Sequence, residues 1–145
     1  MKLGSRLNLT LEVTESAPFG THPSVAVNLA GIAALGIQLS IDDYGTGNAT
    51  LEYLRSVPCQ EIKIDRRFIS GLVTDASDLL LVESTIELAH GLGRRVIAEG
   101  IEDPETLELL RSLGCDIAQG YYLAKPMRLD ALESLVSASP RIRVG

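Results

Sequence analysis

Five short apolar runs in this chain each close on a charged or amide residue, and each is followed by a segment with helical periodicity. The runs end at Glu12, at Asp42 with Asp43, at Lys63 with Asp65, at Glu99 and at Gln119. Strands that alternate with helices pair in parallel, because a parallel pair needs a crossover of a dozen or more residues and a helix is the usual one. The pattern therefore dictates an α/β fold of about five βα units, a parallel sheet with helices outside it. In such folds the carboxyl ends of the strands form the active face, with contributions from several strands. Five polar strand ends on one rim mark a site.

Taken in order, Leu7, Leu9, Leu11 and Val13 alternate with polar residues, the period of a strand with two different faces. Residues 16–21 contain Pro18 and Gly20 and read as a loop. Pro23 opens a helix whose apolar side carries Val25, Leu29, Ile32 and Ala33, and Gly36 stops it. A strand from Ile37 to Asp42, a short helix from Thr50 to Leu54 ended by Pro58, and a strand from Glu61 to Asp65 follow. Phe68 to Val73 reads as one or two helical turns. Asp78 then caps a long helix with Leu81, Val82, Thr85, Ile86, Ala89 and Leu92 along its buried stripe, closed by Gly91 and Gly93. A strand from Arg95 to Ala98, a helix from Pro104 to Gly114, a strand from Asp116 to Gly120, a loop from Tyr121 to Met127 and a closing helix from Asp130 to Val136 complete the chain.

Composition narrows the function. A net charge of −6 with scattered basic residues excludes a general nucleic-acid binder, whose phosphate contacts need a basic face. No apolar run approaches the roughly 20 residues of a membrane span, and the first residues lack a signal-peptide core, so the expected setting is the cytoplasm. Cys59 and Cys115 have no Cys or His at ligand spacing and are expected to be buried free thiols rather than a zinc site or a disulfide.

The rim set is rich in oxygen donors and has no histidine, which favours a hard divalent cation such as Mg²⁺ or Mn²⁺ over zinc. The adjacent Asp42 and Asp43 have two readings: polar punctuation with one of them capping the next helix, or ligands to a pair of ions in a phosphoryl-transfer site. Lys63 likewise reads either as a fixed positive charge beside the reacting phosphate or as a salt-bridge partner of Asp65.

Glu12-Val13-Thr14-Glu15, Asp42-Asp43-Tyr44-Gly45-Thr46-Gly47, Lys63-Ile64-Asp65-Arg66, Ala98-Glu99-Gly100-Ile101-Glu102 and Gln119-Gly120-Tyr121 resemble, in order and separation, the successive motifs of the EAL family, phosphodiesterases of bacterial cyclic di-GMP. The likeness runs over about residues 6–136, leaving 1–5 as a leader and 137–145 as a tail. It implies a modified TIM barrel that opens cyclic di-GMP to pGpG with two Mg²⁺ or Mn²⁺ ions and is inhibited by calcium. By this resemblance Glu12, Asp42, Asp43 and Gln119 are metal-shell residues, with Asp42 bridging. Lys63 and Glu99 are the catalytic pair around the water, and Asp65 and Glu102 support them. Glu15 fastens the loop Tyr44, Gly45, Thr46, Gly47, which couples dimerisation to metal binding in the family. Tyr44 stands for a more usual Phe, and Asn48 for an aromatic.

The Glu-Ala-Leu motif that names the family, with its metal-binding glutamate, and a further asparagine ligand are absent from this chain. Asn8 is no substitute, because four residues along a strand place it roughly 13 Å from Glu12. Five units correspond to the last three-fifths of an eight-unit barrel. An open barrel segment exposes sheet edges and apolar surface, so pairing with a second copy or another chain is expected. Three readings follow: a phosphodiesterase, weak or inactive as this piece; a non-catalytic module that binds cyclic di-GMP or a protein; or a remnant that folds and does little.

Overall fold

The computed structural model describes residues 9–15, 23–47 and 50–138. They contain five strands, β1 (Thr10–Thr14), β2 (Gln38–Tyr44), β3 (Glu61–Ile64), β4 (Arg95–Glu99) and β5 (Ile117–Gln119), paired in parallel in the order β1-β2-β3-β4-β5. Each spatial neighbour is also the neighbour in sequence. A doubly wound sheet reverses its strand order, whereas a barrel does not, so this sheet is a segment of a TIM-type barrel. Six helices connect and close it: α1 (Pro23–Ala34), α2 (Leu51–Ser56), α3 (Arg66–Gly71), α4 (Ala76–Gly91), α5 (Pro104–Ser112) and α6 (Leu129–Ala138).

Register separates the two faces of the sheet. Val13, Ile41, Ile62 and Val96 lie side by side in one row, and Ile64 with Ala98 in the next. From Ile41 onward these side chains are fully buried, packed with Leu54, Ile69, Val82, Ile86 and Ala89 from the helices. The alternate row, Glu12, Ser40, Glu61 and Arg95, is polar and faces the inside of the barrel, where Arg95 pairs with the buried Glu61. Strands in a closed barrel alternate inward and outward residues in this way.

Local signals explain the element ends, with three corrections. Helix α4 is capped by Asp75, whose carboxylate accepts from the Ser77 amide at 2.8 Å, and Asp78 lies inside the first turn. Two aspartates precede the same apolar stripe, and the one in extended backbone can reach the free amides. Helix α3 starts at Arg66 rather than Phe68, because Asp65 is its N-cap and accepts from the Arg67 amide at 2.7 Å. Ala33 is exposed, so the buried side of α1 is carried by Leu29 with the half-buried Val25 and Ile32. Helix α5 is capped as Asp103-Pro104 suggests, with Asp103 accepting from the Thr106 amide at 2.7 Å. Arg94 is buried and donates to the carbonyls of Leu54 and Val57, tying the end of α2 to the foot of β4.

Both cysteines are free; Cys59 is buried and Cys115 half-buried. Burial pushes both thiols up, Cys115 to about 11. The expected start of the first strand at Leu7, the loop at residues 16–21, Asn8, Asn48, the leader and all of the tail beyond Ala138 lie outside the described residues.

Candidate functional site

Lys63 is the hub of the carboxyl-terminal rim. It sits on β3, the central strand of the five, and only 7% of its side chain is exposed. Its Nζ lies 2.6 Å from Glu12 Oε1 on β1, 2.7 Å from Glu99 Oε1 on β4 and 3.4 Å from Asp42 Oδ1 on β2. Three carboxylates from three strands thus converge on one ammonium. Burial pulls the Lys63 pKa down, but the hydrogen bonds to Glu12 and Glu99 and the charges of Glu99 and Asp42 outweigh it, and the net shift is upward. Asp65 is not a partner of Lys63: its carboxylate is taken by the start of α3 and by Arg67 Nε at 3.2 Å.

The two aspartates lie in an irregularity of β2. Ile41 is opposite Ile62 and Tyr44 opposite Ile64, so Asp42 and Asp43 together face the single residue Lys63. This is a β-bulge, in which one strand carries an extra residue and bends. Asp43 takes a left-handed φ of 56°, which aspartate tolerates better than most residues, and its amide donates to Asp42 Oδ1 at 3.0 Å. Its carboxyl pKa is raised, first by burial, then by Asp42 and Asp65, against the opposing charges of Arg67 and Lys63. Arg67 is therefore part of this electrostatic set, although nothing but its place two residues after Asp65 signals it in the sequence.

The loop after the bulge is held by one side chain. Glu15 is buried, and its Oε2 accepts the amides of Gly45, Thr46 and Gly47 at 3.1, 3.0 and 2.9 Å. Three oriented amides on one carboxylate form a charge-assisted anchor. Gly45 has a φ of 98°, and a side chain there would put Cβ 2.8 Å from Phe68 Cε2. Burial, then the charge of Glu15, raises the Tyr44 phenol pKa. A cleft of about 410 Å³ opens between this loop and α4, lined by Tyr44, Gly45, Leu80, Leu81 and Leu88 among others. The Lys63 cluster does not line it.

On the other flank, Glu99 is registered against Gln119, and the ladder continues past the strand ends. The Ile101 amide donates to the Gln119 carbonyl at 3.1 Å, and the Tyr122 amide to the Ile101 carbonyl at 3.0 Å. Gly120 permits this approach, since a Cβ there would fall inside the Ile101 backbone. Gln119 is exposed at the rim beside Glu99. Glu102, expected to support the site, instead points to the surface 3.8 Å from Arg66, with 66% of its side chain exposed. The backbone turns at Gly100, which carries Glu102 away from the cluster.

The structure brings together Glu12, Asp42, Lys63 and Glu99 by direct contact, Asp43 beside them through the bulge, and Gln119 by register. The donor set is one that hard cations prefer, and its oxygens already surround a positive charge. Among the described residues no three carboxylate, imidazole or thiolate groups are preset around a vacant metal position, because the convergence is on Lys63. Among the described residues, too, no helix is long and apolar enough to cross a membrane.

A five-stranded segment of a parallel βα barrel with an acidic, lysine-centred rim defines the class. The EAL domain family model matches residues 2–126, and the chain belongs to that family. It is 39% identical over 130 residues to the bifunctional diguanylate cyclase/cyclic di-GMP phosphodiesterase MucR of Pseudomonas aeruginosa, an alignment that takes in 90% of this chain and 19% of MucR. It superposes with a TM-score of 0.80 and 40% identity on the PaMucR phosphodiesterase solved in complex with c-di-GMP, over 86% of this chain and 50% of that one. Against the Klebsiella pneumoniae protein BlrP1, solved with manganese and cy-diGMP, the TM-score is 0.74 with 28% identity, over 81% of this chain and 30% of the other. The chain spans about a fifth of the curated relative and half or less of these solved chains.

Proposed function

We propose that the chain supplies the central and later strands of a cyclic di-GMP phosphodiesterase site, whose reaction opens the cyclic dinucleotide to linear pGpG. The observation that carries this reading is the convergence of Glu12, Asp42 and Glu99 on Lys63, four residues from four adjacent strands at one rim. In this reading Glu12, Asp42, Asp43 and Gln119 hold Mg²⁺ or Mn²⁺, and calcium inhibits. When bound, such ions supply Lewis-acid charge to the phosphoryl group and activate water. Lys63 holds the attacking water with Glu99 beside it, and its ammonium offsets charge that develops on phosphate oxygens. Glu15 keeps the Tyr44–Gly47 loop in place beside them. The relatives with named activity and bound nucleotide support the substrate class.

The missing Glu-Ala-Leu glutamate and asparagine ligand make turnover by these 145 residues alone weak or absent, because positioning and charge stabilisation supply most of the acceleration in such sites. Pairing through the open edges at β1 and β5, with a second copy in the cytoplasm, belongs to the same reading. The test is calorimetry with cyclic di-GMP and Mg²⁺, run beside a chromatographic assay for pGpG. Metal-dependent binding that Asp42→Asn removes is expected. Binding indifferent to metal and to Asp42→Asn would favour the non-catalytic module, and no binding at all would reject the substrate assignment.

A further inference from the structure

We propose that Lys63 is the site's built-in counter-cation, holding its carboxylates together before a divalent ion arrives and giving up its bond to Glu12 when one is taken. This deepens the metal-site reading above and rests on it. Three negative side chains brought from separate strands to one point repel one another. Nothing else positive among the described residues lies within ion-pair distance of Glu12, Asp42 or Glu99. The ammonium makes short contacts of 2.6 and 2.7 Å to oxygens from β1 and β4, so one cation holds side chains from strands on both sides of β3.

A divalent ion would need the same oxygens. Ligand distances for Mg²⁺ are about 2.0–2.1 Å, shorter than the 2.6 and 3.4 Å at which Nζ lies from Glu12 Oε1 and Asp42 Oδ1, so an ion on those oxygens would crowd the space that Nζ fills. The carboxylates outnumber the ammonium, and the cluster stays negative with Lys63 in place, which draws a second cation to it. Loading is thus an exchange of one cation for another, in which Lys63 turns from clamp to neighbour. Met at position 63 matches the lysine stem in length and flexibility but carries no charge.

The decisive measurement is on the wild-type chain: a ¹H–¹⁵N correlation spectrum of lysine side-chain ammonium groups, recorded without metal and then with Mg²⁺, with Mg²⁺ binding followed by calorimetry on the same sample. Without metal, one slowly exchanging ammonium signal, absent from Lys63→Met, is expected. Saturation with Mg²⁺ is expected to shift it or broaden it into fast exchange with water. Lys63→Met is expected to melt at least about 5 °C lower without metal and to bind Mg²⁺ about tenfold more tightly or better, since it has no cation to evict. A protected Lys63 signal that persists unchanged while calorimetry reports bound Mg²⁺ overturns the exchange and leaves the metal site standing. Absence of any Mg²⁺ binding to either protein overturns both. Failure of Lys63→Met to fold would leave the wild-type spectra to decide.

Discussion

Strands β3 and β5 are written alike, as short apolar runs ending in a polar residue assigned to the site, yet the molecule treats them differently. All four residues of β3 are buried, and Lys63 at its rim makes three ion pairs. In β5, Ile117 and Ala118 are half-buried and Gln119 is exposed. The difference lies in neighbours: β3 has a strand on each side and α3 and α4 close by, while β5 pairs only with β4 among the described residues. Organisation of a site residue follows from how many strands hold its backbone, more than from its own identity. A closed barrel would give β5 its second neighbour, and with it the burial that Gln119 lacks.

The sharpest way to break this comparison is to empty both strands. Ile64→Ala, in a fully buried position of β3, is expected to cost about 3–4 kcal/mol in chemical denaturation. Ile117→Ala in β5 is expected to cost roughly 1 kcal/mol. Equal losses would mean that β5 is as well packed as β3.

Next in size is the loop anchor. Glu15→Gln keeps the shape and removes the charge, and the loss of a carboxylate shared by three amides is expected to cost about 1–2 kcal/mol. Hydrogen exchange should show it first at Gly45, Thr46 and Gly47 and leave β3 protected. Uniform deprotection would mean that the loop and the core are one cooperative unit.

Smaller still is the response to acid. The Asp75 carboxyl is held low by the Ser77 hydroxyl and amide, and that of Asp103 by the amide and then the hydroxyl of Thr106. A carboxyl with a lowered folded pKa contributes fully above its unfolded value, near ~3.9, and loses that contribution as pH falls through the folded one. Circular dichroism is therefore expected to show the first turns of α4 and α5 fraying below about pH 4. Asp103→Asn should remove the α5 part of that slope. Lys63 has the opposite sign: its raised pKa stabilises fully below the unfolded lysine value of ~10.4 and is lost as pH rises through the folded value.

The smallest effect is expected at α6, which has no buried side chain and leaves Leu129 70% exposed. Leu129→Ser should change the stability of the folded chain by no more than about 0.5 kcal/mol in chemical denaturation. A large loss of stability would place α6 in the core after all.

Much of the fold is legible in the sequence, because hydrophobic period and helix punctuation are local. The five strand ends at Glu12, Asp42, Lys63, Glu99 and Gln119 can be read one by one, and parallel topology puts them on a common rim. What cannot be read is who pairs with whom. Lys63 has an aspartate two residues away and chooses a glutamate 51 residues away instead, because β1 and β3 flank the same strand and Asp65 is spent on α3. The α4 cap falls at Asp75 rather than Asp78 for a related reason, since the two are equally plausible in one dimension and only backbone geometry distinguishes them. Glu102 shares a motif with Glu99 but not its position, because the chain turns at Gly100. The bulge was invisible: two adjacent aspartates in a regular strand would point to opposite faces.

That bulge also separates architecture from chemistry at the scale of a single codon. Three residues of β2 span what two residues of β3 span, so deleting either aspartate would restore an unbroken ladder and keep every apolar side chain upstream on its own face. The sheet would accept the shorter strand while the rim lost a carboxylate and the loop drew back by a residue. The extra residue of β2 thus serves the rim alone: the fold could do without it, and the pair of adjacent carboxylates could not.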